Sequence, residues 1–459
     1  MIKTKNIQSI FVVFLILHLL IWTIIPSFSN QNLPLDTIEA LAWGSNLDWG
    51  FNKHPPMSAL IVEIFYRIFG NSDWAYYLLS QIFVVIAFWY VWKFSECIFK
   101  NKIHSLLSVL LLEGVYFYNF TTPEFNVNVA QLPFWALTVY YCWQSLENNK
   151  IKNWVLFGFF AGLGFLSKYL FIYLLLGIDI FFIYYFLINK KLYFKKTFLI
   201  PGIVFILVIL PHLIWLSQNN YVTIFYGLNR TGLEGFNFFE NIKNPIIFLI
   251  KQTGVLIPLF FMFFLIVTKL KTTINFKNKK VFFLLSITVI PLFLMFLTSF
   301  LTGAKIRTMW MTPFYLFLGT LLIYMFQKKV NFKKLNRFIY LFLILFVLSP
   351  STYLYVSLTE KLKRTDYPGK EIARLIQKRW DENFSNEIAI VVGDEWSGGN
   401  LSYHLTSRPK WYNSLNKDLK NLKIEGGVIY IGNPNVLKKI CPGVYGKINP
   451  NGICMIGAR

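Results

Sequence analysis

The sequence predicts a mainly α-helical bundle that crosses a membrane many times and ends in a small α/β domain. Three observations carry that expectation. Hydrophobic residues make up 55% of the 459-residue chain and charged residues only 15%, against roughly a quarter charged in soluble domains. Apolar runs repeatedly approach or pass the ~20 residues that take a helix across a bilayer. Beyond residue 354 the hydrophobicity falls, and strands and amphipathic helices replace the long apolar runs.

The apolar segments fall at residues 8–26, 74–99, 103–120, 125–146, 153–166, 169–188, 198–216, 246–268, 281–302, 309–327 and 336–354, which predicts eleven spans. The first has the basic start of a signal peptide. No small-x-small cleavage site closes it and more spans follow, so it is read as an uncleaved first helix. Alternate loops then lie on alternate sides. The N-terminal segment and the loops near 100–102, 150–152, 190–196, 269–280 and 328–337 together hold 20 Lys and Arg. The opposite loops hold far fewer, among them Lys53, Lys168, Arg230, Lys243, Lys305 and Arg307. The positive-inside rule makes the first set cytoplasmic, with the N-terminus inside and the C-terminal region outside. The net charge of +23 thus reports topology and attraction to anionic lipid, and nucleic acid is not expected as a partner.

Two domains are expected, residues 1–354 in the membrane and 355–459 outside it. Residues 371–380 space their apolar side chains as an amphipathic helix. Residues 388–392 and 427–431 read as strands closed by Gly-Asp and Asn-Pro turns. Gly393, Asp394, Gly398 and Gly399 form neither a dinucleotide nor a P-loop pattern. Cys97 and Cys142 fall in spans and are expected to pack as small hydrophobes. Cys441 and Cys454 lie where oxidation is permitted, but two cysteines alone fix no geometry, and that bond stays open.

The polar residues that ask for a reason lie in the loops of the outer set. Residues 36–56 gather Asp36, Glu39, Asp48, Lys53 and His54 before Pro55-Pro56. Asp36 is a candidate general base or acceptor-orienting group. With Glu39 three residues on, it also fits a capping box for a helix over 37–46. Glu124 is the sole acid of its loop, TTPEFN, and either takes part in the chemistry or favours the dipole of the helix that follows. Pro55 and Pro56 present His54 at the start of the next helix, and Asp48 reads as a turn residue. Lys168 sits between two apolar segments and needs either an anion or a route to the headgroups. Arg230, in an aromatic-rich loop, suits a bidentate phosphate grip or a headgroup contact. Lys305 and Arg307 add cations in the loop TGAKIRT. His18, His104 and His212 lie without metal-ligand spacing and read as core histidines, and no Zn or Ca motif is present. Together, several cations and two isolated acids on one face suit a lipid-linked phosphate beside which a bond is broken.

The stretch DTIEALAWGSNLDWGFNKHPPMSALIVEIFYRIFG resembles the first outer loop of polyprenyl-phosphate-sugar glycosyltransferases of the protein mannosyltransferase superfamily, which have the GT-C fold. It looks most like the bacterial branch that modifies lipid A and lipopolysaccharide core. There an acid after the first span is followed by an aromatic-Gly-aromatic stretch and a basic-Pro-Pro motif. GFFAGLGFLSKY, TTPEFN and WLSQNNYVTIFYGLNR resemble later blocks, so the likeness covers most of residues 1–330 in order. It implies that Asp36 is the catalytic acid and that His54, or Lys53 beside it, contacts the carrier phosphate together with Arg230 and Lys168. Glu124 stands where many relatives have aspartate. Glu39, Lys305 and Arg307 are implied as acceptor or loop support. Lys53-His54-Pro55-Pro56 replaces the Glu-Lys-Pro-Pro usual in aminoarabinose transferases, which favours galacturonosyl- or hexosamine-transferring relatives. Close relatives typically have thirteen spans.

The resemblance implies an inverting transferase in the bacterial inner membrane, its C-terminal domain periplasmic. It would move a sugar from undecaprenyl phosphate to lipid A or core oligosaccharide. No cofactor is implied, and a metal is not required. A flippase for a lipid-linked saccharide is the alternative from another class, although the internal repeats common in transporters are not visible. A protein acceptor is a further option.

Overall fold

The computed structural model describes residues 4–188, 196–232, 238–413 and 426–459. Of the cations counted above, Lys3, Lys190, Lys191 and Lys195 lie outside the described residues. The membrane part begins with α1 (Thr4–Ser29), two short helices α2 (Leu35–Gly44) and α3 (Met57–Phe69), and the long α4 (Asp73–Ile98). There follow α5 (Lys102–Leu110), α6 (Val127–Ala130), α7 (Leu132–Asn148), α8 (Ile151–Ser167), α9 (Ile172–Ile183), α10 (Ile200–Gln218) and α11 (Val222–Arg230). It closes with α12 (Phe238–Ile266), α13 (Lys279–Thr302), α14 (Leu318–Phe326) and α15 (Leu335–Thr359).

Among the described residues seven helices are long and apolar enough to cross a membrane, and a bent pair, Thr308–Tyr315 with Leu318–Lys329, makes up to eight. Eleven spans were expected. Residues 103–120, 125–146 and 153–166 form shorter or interrupted helices instead: α5 followed by 3₁₀ turns, α6 broken from α7 at Gln131, and the 17-residue α8. Many of their apolar side chains pack against other helices, although α8 also exposes Ile151, Val155 and Phe159, and composition does not separate burial in protein from burial in lipid. α4 lies centrally between α1 and α7, while α8 packs between α7 and α10. Phe-rich composition becomes ring-on-ring packing: Phe11 stacks on Trp92 at 4.4 Å and Phe94 meets Phe317 edge-on at 5.1 Å. Buried polar groups find partners across helices, as in Ser95 with Thr320 (2.9 Å) and Tyr315 with Gln252 (2.7 Å).

The C-terminal domain holds α16 (Gly369–Asp381), β1 (Ile388–Val392), α17 (Ser397–His404), β2 (Lys410–Tyr412), β3 (Gly427–Gly432), α18 (Pro434–Ile440), β4 (Val444–Ile448) and β5 (Asn451–Ile456). The sheet order is β2-β1-β3-β5-β4; β2, β1 and β3 run parallel, and β5 is antiparallel to both its neighbours. Ile372, Ile376 and Trp380 of α16 pack on Val391, Ile429 and Met455. A disulfide joins Cys441, after α18, to Cys454 of β5.

This domain is docked tightly on the loop that precedes α4. α17 lies against α2, and a Cβ at Gly399 would come within 3.0 Å of the Ala42 methyl and 3.1 Å of Ile38. The glycine run read in the sequence thus serves close helix packing. Asp394 caps the start of α17 by accepting from the amides of Trp396 (2.9 Å) and Ser397 (2.7 Å). Arg408 pairs with the buried Glu63 at 3.0 Å, donates to Leu41 O and lies over the Tyr66 ring. Asn32 donates to Asn400 (2.9 Å), and Tyr403 to Asp73 (2.6 Å). Replacing Gly399 by leucine is expected to force α17 off α2 and to destabilise the chain by about 1–3 kcal/mol. A lower melting temperature and new protease cleavage near residues 360–368 would report it. Unchanged values for both would show that this contact does not hold the domain.

Candidate active site

The loop between α2 and α3 is pinned to the bundle through its middle. Asp48 accepts from its neighbour's amide, Trp49 N–H (2.6 Å), and from the Trp215 indole at 2.7 Å, so it is both a turn residue and a tether to α10. His212 lies between Trp49 O (2.6 Å) and the Tyr169 hydroxyl (2.7 Å). Gly50 rests flat on Trp215, where a Cβ would fall 2.4 Å from an indole carbon. Phe51 stacks on Trp43 at 5.5 Å, and its carbonyl accepts from Thr223 at 2.8 Å. The aromatic-Gly-aromatic pattern is therefore packing that fixes both ends of the loop.

At one end stands Asp36. The expected capping box is absent: α2 starts at Leu35 with Pro34 at its N-cap, and no side chain caps it. Proline lacks an N–H and sets φ for entry into a helix, which moves Asp36 into the first turn. Its backbone N–H donates to Glu124 Oε1 at 3.0 Å, and the Thr37 hydroxyl donates to Phe125 O at 3.1 Å. Glu124 thus sits at the N-terminus of α2 rather than in the first turn of its own helix, because Asn126 takes the N-cap of α6.

Lys168, in the break after α8, is almost wholly buried, at 7% exposure. It donates to Asn128 Oδ1 at 2.6 Å and lies 5.1 Å from the Trp310 ring centre. It has met a polar partner inside the protein instead of snorkelling. His54 packs edge-on between Trp43 and Tyr226. Arg230, at the end of α11, lies over Tyr226 and has no carboxylate partner among the described residues. Lys53 is engaged twice, by Glu39 at 2.9 Å and by Glu395 of the C-terminal domain at 3.3 Å. Lys305 pairs with Glu240 at 3.6 Å and is largely exposed. Arg307, in contrast, is close enough for its charge to act on Lys168.

Seven residues singled out from the sequence therefore converge: Asp36, Glu39, Lys53, His54, Glu124, Lys168 and Arg230. Burial raises the Asp36 carboxyl above its ordinary value, opposed by Lys168, Lys53, Arg230 and Arg364. Burial, with the Asp36 charge next in weight, pushes Glu124 up to about 8. Burial and the three surrounding cations, Lys168, Lys53 and Arg230, take His54 down to about 3, so it is a neutral imidazole at physiological pH. Burial lowers Lys168 to about 7, with Asp36 opposing and Arg307 adding to the fall. For Lys53 burial works against the charge, but Glu39 and Glu395 outweigh it and raise the pKa. Asn128, Trp310, Arg364 and Glu395 were not singled out from the sequence, and only proximity in the fold gives them a part. Among the described residues no group of three or more His, Cys, Asp and Glu is arranged to hold a metal ion.

Glu124→Gln tests the acid pair. The folded state holds the Glu124 proton to about pH 8, whereas the unfolded chain releases it near 4.5. As pH rises through that window the unfolded state ionises first, so wild-type stability falls. The glutamine keeps an oxygen for the Asp36 amide and cannot ionise. Its melting temperature is expected to gain on wild type from about pH 4.5 to about pH 8, and parallel profiles would refute the shared burial.

Residues 53–215 match the family model described as dolichyl-phosphate-mannose-protein mannosyltransferase. Over 159 residues the chain is 29% identical to undecaprenyl phosphate-alpha-4-amino-4-deoxy-L-arabinose arabinosyl transferase of Wigglesworthia glossinidia brevipalpis, a match covering 33% of this chain and 27% of that protein. Over 254 residues it is 24% identical to lipid A galacturonosyltransferase RgtD of Rhizobium johnstonii, covering 51% of each. These matches span about a quarter and about half the length of the two relatives. In three dimensions the chain superposes on ArnT from Cupriavidus metallidurans, solved bound to undecaprenyl phosphate. The TM-score is 0.61 at 11% identity, over 99% of this chain and 98% of that one. The chain has the GT-C fold of that structure and, over residues 53–215, the sequence pattern of the mannosyltransferase family.

Proposed function

We propose that this protein is an inverting membrane glycosyltransferase of the bacterial inner membrane. It takes a sugar from an undecaprenyl-phosphate donor and places it on lipid A or lipopolysaccharide core at the periplasmic face. The observation that carries this reading is the half-buried Asp36 carboxyl in the field of Lys168, Lys53 and Arg230, at the end of the bundle that bears the C-terminal domain. The donor and acceptor that the names of the two sequence relatives specify support these classes.

In this reading an acceptor oxygen attacks the anomeric carbon while the bond from that carbon to the carrier phosphate oxygen breaks. The departing electron pair stays on undecaprenyl phosphate. Arg230, and Lys168 in its protonated form, meet the charge that grows there, where low local dielectric strengthens the interaction. His54, being neutral, contributes an N–H rather than a charge. Lys53 is held by Glu39 and Glu395, so a phosphate recruits it only by displacing them. If the acceptor is a hydroxyl, Asp36 takes its proton; if it is an ionised phosphate, no base is needed and Asp36 orients the donor. Glu124, raised to about 8, keeps a proton beside Asp36. Glu39 supports the loop through Lys53. Arg307 adds to the field at Lys168, and Lys305 ties its own loop to Glu240.

Asp36→Asn is expected to lower sugar transfer by about 10²–10⁴-fold. Binding of undecaprenyl phosphate should persist, since removing a negative charge does not weaken a cationic grip. Undiminished transfer would refute the role of Asp36. Mass spectrometry of lipid A and core from a deletion strain is expected to lack one sugar. An unaltered glycolipid profile there would instead point to protein acceptors or to transport.

A further inference from the structure

Arg364 lies in the linker between α15 and α16 and takes no part in the phosphate grip described above. Its neighbours are engaged. Lys363 pairs with Asp366 at 3.3 Å and donates to Ser357 O at the end of α15. Thr365 O accepts from the amides of Gln31 and Asn32, both at 2.9 Å, which fastens the linker to the chain just ahead of Asp36. Arg364 itself is exposed and has no carboxylate partner among the described residues. Its guanidinium lies 5.5 Å from the Trp396 ring centre, and Trp396 packs on Tyr367 at 5.3 Å. An arginine laid on an indole keeps its donor fork free for a second partner. Trp396 is fixed in turn, since its amide donates to Asp394 and its neighbour Glu395 accepts from Lys53 and Asn52 of the loop.

A cation-on-aromatic platform therefore stands at the seam between the C-terminal domain and the start of α2, and its field reaches Asp36. The carrier contributes one phosphate, which the reading above gives to Lys168 and Arg230 of the bundle. Arg364 comes from a different structural unit. We propose that Arg364, seated on Trp396, is an acceptor-side anion subsite that takes a phosphate monoester carried by the acceptor saccharide. The proposal rests on the glycosyltransferase reading and names the feature of the acceptor that this site selects. A bidentate guanidinium–phosphate contact suits that ligand. The headgroup of an ordinary membrane phospholipid offers the same chemistry and must be separated by experiment.

The test uses the full chain in phosphatidylcholine nanodiscs, with three probes: bis-phosphorylated lipid A, the same lipid after dephosphorylation, and undecaprenyl phosphate. Arg364→Ala is expected to weaken binding of phosphorylated lipid A by about tenfold, the worth of one charge-assisted contact. Binding of the dephosphorylated lipid and of undecaprenyl phosphate should not change. Arg364→Lys should recover part of the loss, having the charge without the fork. Equal affinity of wild type and Arg364→Ala for phosphorylated lipid A overturns the proposal. So does a matching loss for undecaprenyl phosphate, which would assign Arg364 to the carrier. Competition by phosphatidylglycerol that is lost in Arg364→Ala would assign it to the membrane surface and also overturn it. A wild-type chain that binds no undecaprenyl phosphate would instead sink the glycosyltransferase reading itself.

Discussion

Taking a carboxylate out of water costs several kcal/mol unless cations and donors replace the lost hydration. Asp36, half-buried, is subject to that condition: the cations around it oppose the desolvation that raises its carboxyl but do not cancel it. The compensating charges come from separate segments: Lys53 before α3, Lys168 after α8, Arg230 at the end of α11 and Arg364 beyond α15. No local stretch of chain brings these together. The stiffness of the aromatic core and the docking of the C-terminal domain therefore bear on the candidate site, because a displacement of any one segment changes the field at Asp36.

The same condition recurs deeper in the bundle. His18 and Glu113, both fully buried, lie 3.5 Å apart. Asn119 donates to the Glu113 backbone and side chain, and itself accepts from Ser349 at 3.0 Å. Thr122 links Asn119 O to Gln81 of α4. Polar groups at this depth persist where they are paired. This chain of contacts fixes residues 119–122, immediately ahead of Glu124. His18 packs on Phe14 and Phe88 beside this network without hydrogen-bonding into it, as a core histidine.

Much of the architecture was legible because its signals are local. Apolar run length marks the long helices, and strand and turn signals mark the C-terminal sheet. The loop at 36–56 stood out because charge is rare in the chain around it. What was not legible depends on distance. Lys53 reads as a candidate contact for the carrier phosphate, and its partner Glu395 comes from the far end of the sequence. The capping pattern at Asp36 and Glu39 was a fair inference, but Pro34 supplies a stronger start signal one residue earlier than Leu35. Glu124 was assigned to the wrong helix terminus because its partner lies 88 residues away. The gap between expected spans and helices long enough to cross arises because composition does not show where an apolar run breaks, as at Gln131 between α6 and α7.

The docking of α17 on α2 also sets an order of events during synthesis. Residues 30–56 leave the ribosome early, with the first membrane helix, whereas Glu395, Gly399 and Arg408 follow after all the membrane helices. Until they arrive, Lys53 lacks one of its two carboxylates, Glu63 lacks Arg408, and the face of α2 that receives Gly399 is bare. The nascent chain thus carries an unfinished candidate site through membrane insertion, and residues 395–408 act as the closing piece that ties its completion to synthesis of the C-terminal domain.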